Sequence, residues 1–407
     1  MKRIIALLLS LCMLFALCAC GRSEIEYYEN DAETAETAET AETAETAEAA
    51  EAAEMPEFAG PGYDAYPGDM VVGTVNGEEV SWMEYYYWLY YYNLYVNQLA
   101  ATYGVTLTGW DANELSSTDT NGEVVVMNAQ YAVTQHHAIQ SKADEMGLVL
   151  SEEDQALIQQ VFELNADSAV GDGDGVCTEE EIAAFETYLT EQNVDKAFFD
   201  YLNETSLLSE RLYAAIYGDM GMNYPAEDIL AYAEENGILS AKHILLLTKD
   251  MATGEDLSEE EAAEKLATAE DLLAQLQAVE SDPAALEDLF DQLTAEYTED
   301  TGYAAYPEGY IFGEGEMVAE FENAVKELDP NYGLSGIVES SYGYHIILRT
   351  PITPESSVGT DSYGNSVNMR SAVTSNLFNE DMASWIETAS VSWSEGFGTL
   401  DLTTVFG

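Results

Sequence analysis

The chain has 407 residues, with 77 acidic against 12 basic side chains and a net charge of −65. A polyanion of that strength repels nucleic-acid phosphates and anionic lipid headgroups, which excludes both as partners of the folded body. The same charge suits unfolded clients of basic character.

Lys2 and Arg3, followed by the apolar stretch Ile4–Leu17, read as a secretory signal over residues 1–19. That stretch is too short to span a bilayer, and no other apolar run is long enough. It ends in Leu17-Cys18-Ala19-Cys20-Gly21, which resembles a bacterial lipobox. The resemblance implies cleavage after Ala19, diacylation of Cys20 and anchoring at the outer face of the cell membrane. A plain cleaved signal is the other reading. Cys12 and Cys18 leave with the signal, so Cys177 is the remaining thiol and no internal disulfide is expected. Residues 20–69 read as a linker: Ala-Glu-Thr units that decay into Ala-Ala-Glu fill Ala32 to Glu54, and Pro56, Pro61 and Pro67 follow. Their period matches neither a helical nor a strand face, which describes an extended acidic tether.

Folded sequence starts near Met70, and residues 70–239 read as mainly helical. Val71 to Val80 form a hairpin about Asn76-Gly77. Ser81 and Glu84 have capping-box spacing, opening a helix from Trp82 to about Ala101. Eight aromatics crowd that helix: Tyr85, Tyr86, Tyr87, Trp88, Tyr90, Tyr91, Tyr92 and Tyr95. They cannot all face inward, so some are expected at the surface, as a site for apolar peptide; a thick helical core or a homodimer contact are the other uses. Further helices are expected over Asn128–Met146, after Ser151, after Thr178 and after Pro225. The acidic run Asp172-Gly-Asp174-Gly175 with Glu181 resembles part of a calcium loop, but Val170 stands where its first Asp belongs and Asp167 is out of register. An acidic turn before a capped helix is the preferred reading, and no metal site is expected. His136 and His137, adjacent on a helix, lack metal-ligand spacing.

Residues 240–352 change character. The expected order is a strand at 241–248, a helix from Ser258 with its box partner Glu261, and a helix from Asp282-Pro283 to about Tyr297. A loop with five glycines or prolines covers 298–316, followed by a helix over Val318–Leu328 and strands near Ser335–Glu339 and Tyr344–Arg349. This is a compact α+β unit, a small antiparallel sheet with surrounding helices, inserted into a mainly helical chaperone-like body. Residues 353–407 add one helix (Asn368–Ala389) and an extended aromatic tail, expected to pack on the N-terminal helices.

Two histidines open matched apolar strands about a hundred residues apart: His243 in Ser240-Ala-Lys-His243-Ile-Leu-Leu-Leu247 and His345 in Tyr342-Gly-Tyr-His345-Ile-Ile-Leu348. A neutral imidazole at such a place aims one donor and one acceptor into a pocket. With Tyr297-Thr-Glu-Asp300, Phe312-Gly and Met317-Val-Ala-Glu-Phe321, these runs resemble a parvulin-type peptidyl-prolyl isomerase domain. The whole chain resembles, in its architecture, the PrsA-type foldase lipoproteins of Gram-positive bacteria.

The resemblance implies His243, Asp300 and His345 as the catalytic network, with Ser340 adding a hydroxyl. Met317 and Phe321, read as one helix turn apart, would form the proline pocket with Phe312. Clients would be unfolded secreted polypeptides with X–Pro bonds, and no cofactor is called for. The family usually carries Gly-Gly-Asp-Leu-Gly before the aromatic at 312. Here Gly309 takes the place of the pocket leucine, leaving Tyr310 or Ile311 to fill it. No Lys or Arg cluster lies near this loop, which argues against phosphorylated Ser/Thr-Pro substrates. The rival reading is a catalytically silent holdase that uses the unit to bind peptide. A solute-binding lipoprotein is disfavoured because its repeated βα pattern is missing.

Overall fold

The structure is a computed structural model and describes residues 62–304, 306–360 and 366–406. The expected signal, Cys20 and most of the tether lie outside the described residues. Chain contacts divide the protein into two compact units. The first runs to Tyr213 and takes in the chain from Phe378 on, and the second is Ala214–Leu377. Among the described residues no helix is long and apolar enough to cross a membrane.

In the first unit, β1 (Val71–Val75) and β2 (Glu78–Ser81) form the Asn76-Gly77 hairpin. The terminal strand Val391–Trp393 pairs antiparallel with the free edge of β1. Helices α1 (Trp82–Thr102), α2 (Asn121–Met146), α3 (Glu152–Val170), α4 (Glu179–Glu191) and α5 (Lys196–Tyr217) follow, the last turn of α5 belonging to the second unit. Their starts are chemical. Thr120 with Glu123, Ser151 with Asp154, and Thr178 with Glu181 each form a reciprocal capping box, and losing such a cap costs about 1 kcal/mol. Helix α2 therefore begins seven residues before its expected start, at a box hidden in a polar stretch.

Ser81 accepts from the Glu84 amide, but no reciprocal box forms there. The Glu84 carboxylate instead meets His137 and the Tyr201 hydroxyl, both at 3.2 Å.

The aromatic helix corrects the expected greasy surface. Tyr85, Tyr86, Tyr87, Trp88 and Tyr90 are all buried, and Tyr95 is the one of the eight that is clearly exposed. Helices α2 and α5, the hairpin and the returning tail cover α1 on nearly every side, with Phe397 and Phe406 against its rings. The Tyr85 hydroxyl donates to the Phe397 carbonyl at 3.1 Å, so this ring is buried with its polar tip satisfied.

The second unit opens with α6 (Ala226–Glu235). A four-stranded antiparallel sheet follows, with β3 (Leu239–Leu247), β4 (Tyr310–Phe312), β5 (Leu334–Glu339) and β6 (Gly343–Arg349) in the order β4-β3-β6-β5. Strand β4 lies inside the stretch expected to be loop, because three residues carry too little periodicity to register. Helices α7 (Glu259–Gln277) and α8 (Pro283–Tyr297) cover one face, where Leu272, Leu276, Leu286 and Phe290 pack on Ile244, Leu246, Ile346 and Leu348. Helix α9 (Ala319–Glu327) covers the other, with Phe321 and Val325 against Ala241, Phe312 and Ile347. The hairpin of β7 (Ser357–Thr360) and β8 (Ser366–Asn368) leads into α10 (Met369–Thr388), which passes from the second unit to the first at Phe378. Helices with small antiparallel sheets make this an α+β protein.

Candidate active site

Strand register brings the two histidines together. His243 of β3 pairs with Ile347, and His345 of β6 pairs with Leu245. The two imidazoles are thus diagonal neighbours on one face of adjacent strands, within reach of long side chains. Their Nδ1 atoms lie 3.1 Å apart, and the rings are inclined by 19°.

Asp300 reaches the same face because β4 is short. It pairs with β3 over residues 239–241 only, which leaves the rest of that edge open. The turn after α8 occupies it: the Glu299 amide donates to the Leu245 carbonyl, the Leu245 amide to Thr298 Oγ1 at 3.2 Å, and the Leu247 amide to Glu299 at 2.8 Å. Asp300 Oδ2 then lies 3.0 Å from His243 Nε2. At the other end, Ser340 sits in the turn between β5 and β6, with Oγ 2.6 Å from His345 Nε2.

The donors of this chain run in one direction. Ionised Asp300 can only accept, so His243 carries its proton on Nε2. His243 Nδ1 is then an acceptor, and His345 Nδ1 must donate to it. His345 Nε2 is left to accept from the Ser340 hydroxyl, and Ser340 Oγ accepts the Tyr342 amide at 3.1 Å. Burial and the neighbouring imidazole push His345 down to about 4, which keeps it neutral at pH 7. Despite its own burial, Asp300 is held well below the usual carboxylate range by donors from His243, Tyr310 and the Gly302 amide.

The predicted apolar residues lie beside the relay. Phe321 stands 5.2 Å from the His243 ring, 5.8 Å from His345 and 5.7 Å from Phe312, centroid to centroid. Phe312 and Phe321 are only 2 % and 3 % exposed. Met317 joins the same cluster and is half-buried, but it precedes α9 instead of lying on it. It shares the face through the loop, and not through helical spacing as expected.

Gly309 allows no pocket side chain. Its φ is +98°, and a Cβ there would lie 2.8 Å from the Ala241 carbonyl oxygen. The next two residues alternate as a strand must: Ile311 packs among Ile229, Met369 and Val373, whereas Tyr310 turns to the site. Its ring meets His243 edge-on at 5.6 Å, and its hydroxyl donates to Asp300 Oδ2 at 2.5 Å. The sequence reading gave Tyr310 no place in the hydrogen-bonded network. The available signal was a phenol two residues before Phe312, in the stretch that departs from the family's usual motif.

The other candidate motifs stay apart from this site. Oxygens of Asp167, Asp172 and Asp174 converge within 4.8 Å, so Asp167 does join the acidic turn. It accepts the Gly173 and Gly175 amides, while Glu181 caps α4. Cys177 is half-buried, and burial together with nearby carboxylates raises its thiol.

Residues 243–350 match the Rotamase family model, the PPIC-type PPIase domain. No curated protein matches the chain. Among solved structures it is similar to peptidylprolyl isomerase (PrsA) from Bacillus cereus, at 19 % identity, covering 79 % of this chain and 87 % of that one, with a TM-score of 0.24. It is similar to foldase protein (PrsA) from Lactococcus lactis at 14 % identity, covering 83 % and 99 %, with a TM-score of 0.26. It is also similar to peptidyl-prolyl isomerase ESS1 from Candida albicans at 18 % identity, covering 30 % and 73 %, with a TM-score of 0.23. Residues 243–350 of this chain are a PPIC-type peptidyl-prolyl isomerase domain, a parvulin-type unit.

Proposed function

We propose that the protein accelerates cis–trans isomerisation of X–Pro bonds in unfolded secreted polypeptides, held at the outer face of the membrane by lipid on Cys20. The observation that carries the catalytic reading is the relay itself: His243, His345 and Asp300 in hydrogen-bond contact beside Met317 and Phe321. Rotating the bond crosses a barrier of about 18–20 kcal/mol and breaks no σ bond. The planar amide is more dipolar than the twisted one, because conjugation places negative charge on its oxygen. An apolar wall for the pyrrolidine, next to a relay that ends in a carboxylate, favours the twisted form.

A proline-peptide isomerisation assay on the purified chain tests this. His243→Ala and Asp300→Ala should each lower kcat/KM roughly a hundredfold; wild-type-like rates in both would refute the catalytic role. The anchoring has its own test. Cys20→Ser should move the protein from the membrane fraction to the medium, and undiminished membrane retention would count against it.

Charge favours cationic clients. Residues 240–350 carry twenty-five acidic and five basic side chains. All five cations are engaged: Lys242 by Glu287 and Asp291, Lys249 by Asp256, Lys265 by Glu299, Lys326 by Glu322, and Arg349 by the Val325 and Leu328 carbonyls. Lys-Pro peptides should therefore be turned over faster than Glu-Pro peptides at low salt, with the difference shrinking as salt rises. Equal rates at low salt would remove this preference.

The silent-holdase reading keeps one specific support, the near-complete burial of Phe312 and Phe321, which leaves Met317 as the more open part of the apolar wall. Peptide binding without isomerisation in the same assay would select it.

A further inference from the structure

Tyr310 occupies a place that the surrounding residues have been shaped to give it. Gly309 brings the backbone close against β3, where no Cβ fits. On the far side, a Cβ at Gly302 would lie 2.1 Å from the Tyr310 hydroxyl, so the phenol fills the space a side chain at 302 would need. Tyr306 packs on the Tyr310 ring at 5.1 Å. Between these contacts the hydroxyl reaches the same Asp300 oxygen that receives His243, while the Gly302 amide takes the other oxygen at 3.0 Å.

We propose that Tyr310 is a positioning residue of this site: its hydroxyl fixes the Asp300 carboxylate so that His243, and through it His345 and Ser340, keep one proton arrangement. The inference rests on the isomerase reading and deepens it. Without this third donor the carboxylate can rotate about its Cβ–Cγ bond and offer either oxygen to His243. The relay then loses its single direction, although all its catalytic members remain. The other titratable groups facing the Asp300–Tyr310 pair are His243 and Lys242 of β3, Asp291 of α8, and Tyr303 and Tyr306 of the following turn. Lys242 is occupied by Glu287 and Asp291. The phenol is itself raised by burial and by Asp300, so it stays a donor across the working pH range.

The test uses the full chain and four variants: Tyr310→Phe, Asp300→Asn, their double mutant, and Gly302→Ala, which displaces the hydroxyl without removing it. Tyr310→Phe should lower kcat roughly tenfold with KM nearly unchanged, and Gly302→Ala should lower it in the same direction. The double mutant should be no slower than Asp300→Asn alone, because both changes act through one carboxylate. Carbon-13 titration of the Asp300 carboxyl should show its midpoint higher in Tyr310→Phe. Multiplying losses in the double mutant, or an unmoved carboxyl titration, would overturn the proposal. If the wild-type chain isomerises nothing, the isomerase reading fails, while the carboxyl titration still decides whether Tyr310 holds Asp300.

Discussion

The protein has four histidines in two pairs, and the pairs were made differently. His136 and His137 are neighbours in sequence on α2, so their rings diverge. His136 lies against Trp88 at 5.0 Å, and His137 against the Glu84 carboxylate. His243 and His345 are 102 residues apart, yet share a hydrogen bond across adjacent strands. Burial depresses His136 to about 3 and His345 to about 4. Depressed basicity therefore does not separate a histidine of the candidate site from a packed one. The distinction is the hydrogen bond between the rings, through which the second pair forms one path from Ser340 to Asp300, whereas His137 of the first pair meets the buried Glu84.

Acid offers the largest test of this comparison. Folded His136 and His345 bind a proton more weakly than the ordinary 6.5, so the unfolded chain takes up protons first. Their stabilising effect is complete above about pH 6.5 and falls as pH drops, through about 4 for His345 and about 3 for His136. Each should contribute about 1.4 kcal/mol per pH unit within its window. Urea midpoints between pH 7 and pH 5 measure the onset of the loss, in a range above ordinary carboxylate titration. A flat profile there would mean that neither ring is held neutral by the fold.

A smaller effect should split the pairs by substitution. His137→Ala leaves the Glu84 carboxylate buried with the Tyr201 hydroxyl as its remaining side-chain donor. The expected cost is about 2–3 kcal/mol in urea denaturation, with isomerase kcat/KM unchanged. Loss of turnover in this variant would couple the α2 histidines to catalysis and erase the contrast.

Much of this organisation was legible in the chain. Asn76-Gly77, Ser258 with Glu261, and Asp282-Pro283 mark turns and helix starts by local chemistry, and each stands where it was expected. The two histidine strands were legible as apolar runs, and their register followed from which face is buried. What stayed hidden was non-local. Nothing in Tyr310-Ile311-Phe312 announces a strand until β3 lies beside it. Glu84 has the spacing of a helix cap, but its carboxylate is claimed by residues 53 and 117 positions away. The burial of the α1 aromatics depends on Phe397 and Phe406, more than three hundred residues later. Met317 lies within reach of the site through a loop path that no periodicity describes.

The brevity of β4 has a topological consequence. Had that strand begun six residues earlier and run on beside β3, its backbone would have claimed the Leu245 and Leu247 groups that now anchor Thr298 and Glu299. The acid would then have had no berth next to His243. The layout of the candidate site thus depends on the late start of an edge strand, and an insertion before Gly309 that lengthened the ladder toward Leu247 would dislodge Asp300 without altering one of the site's side chains.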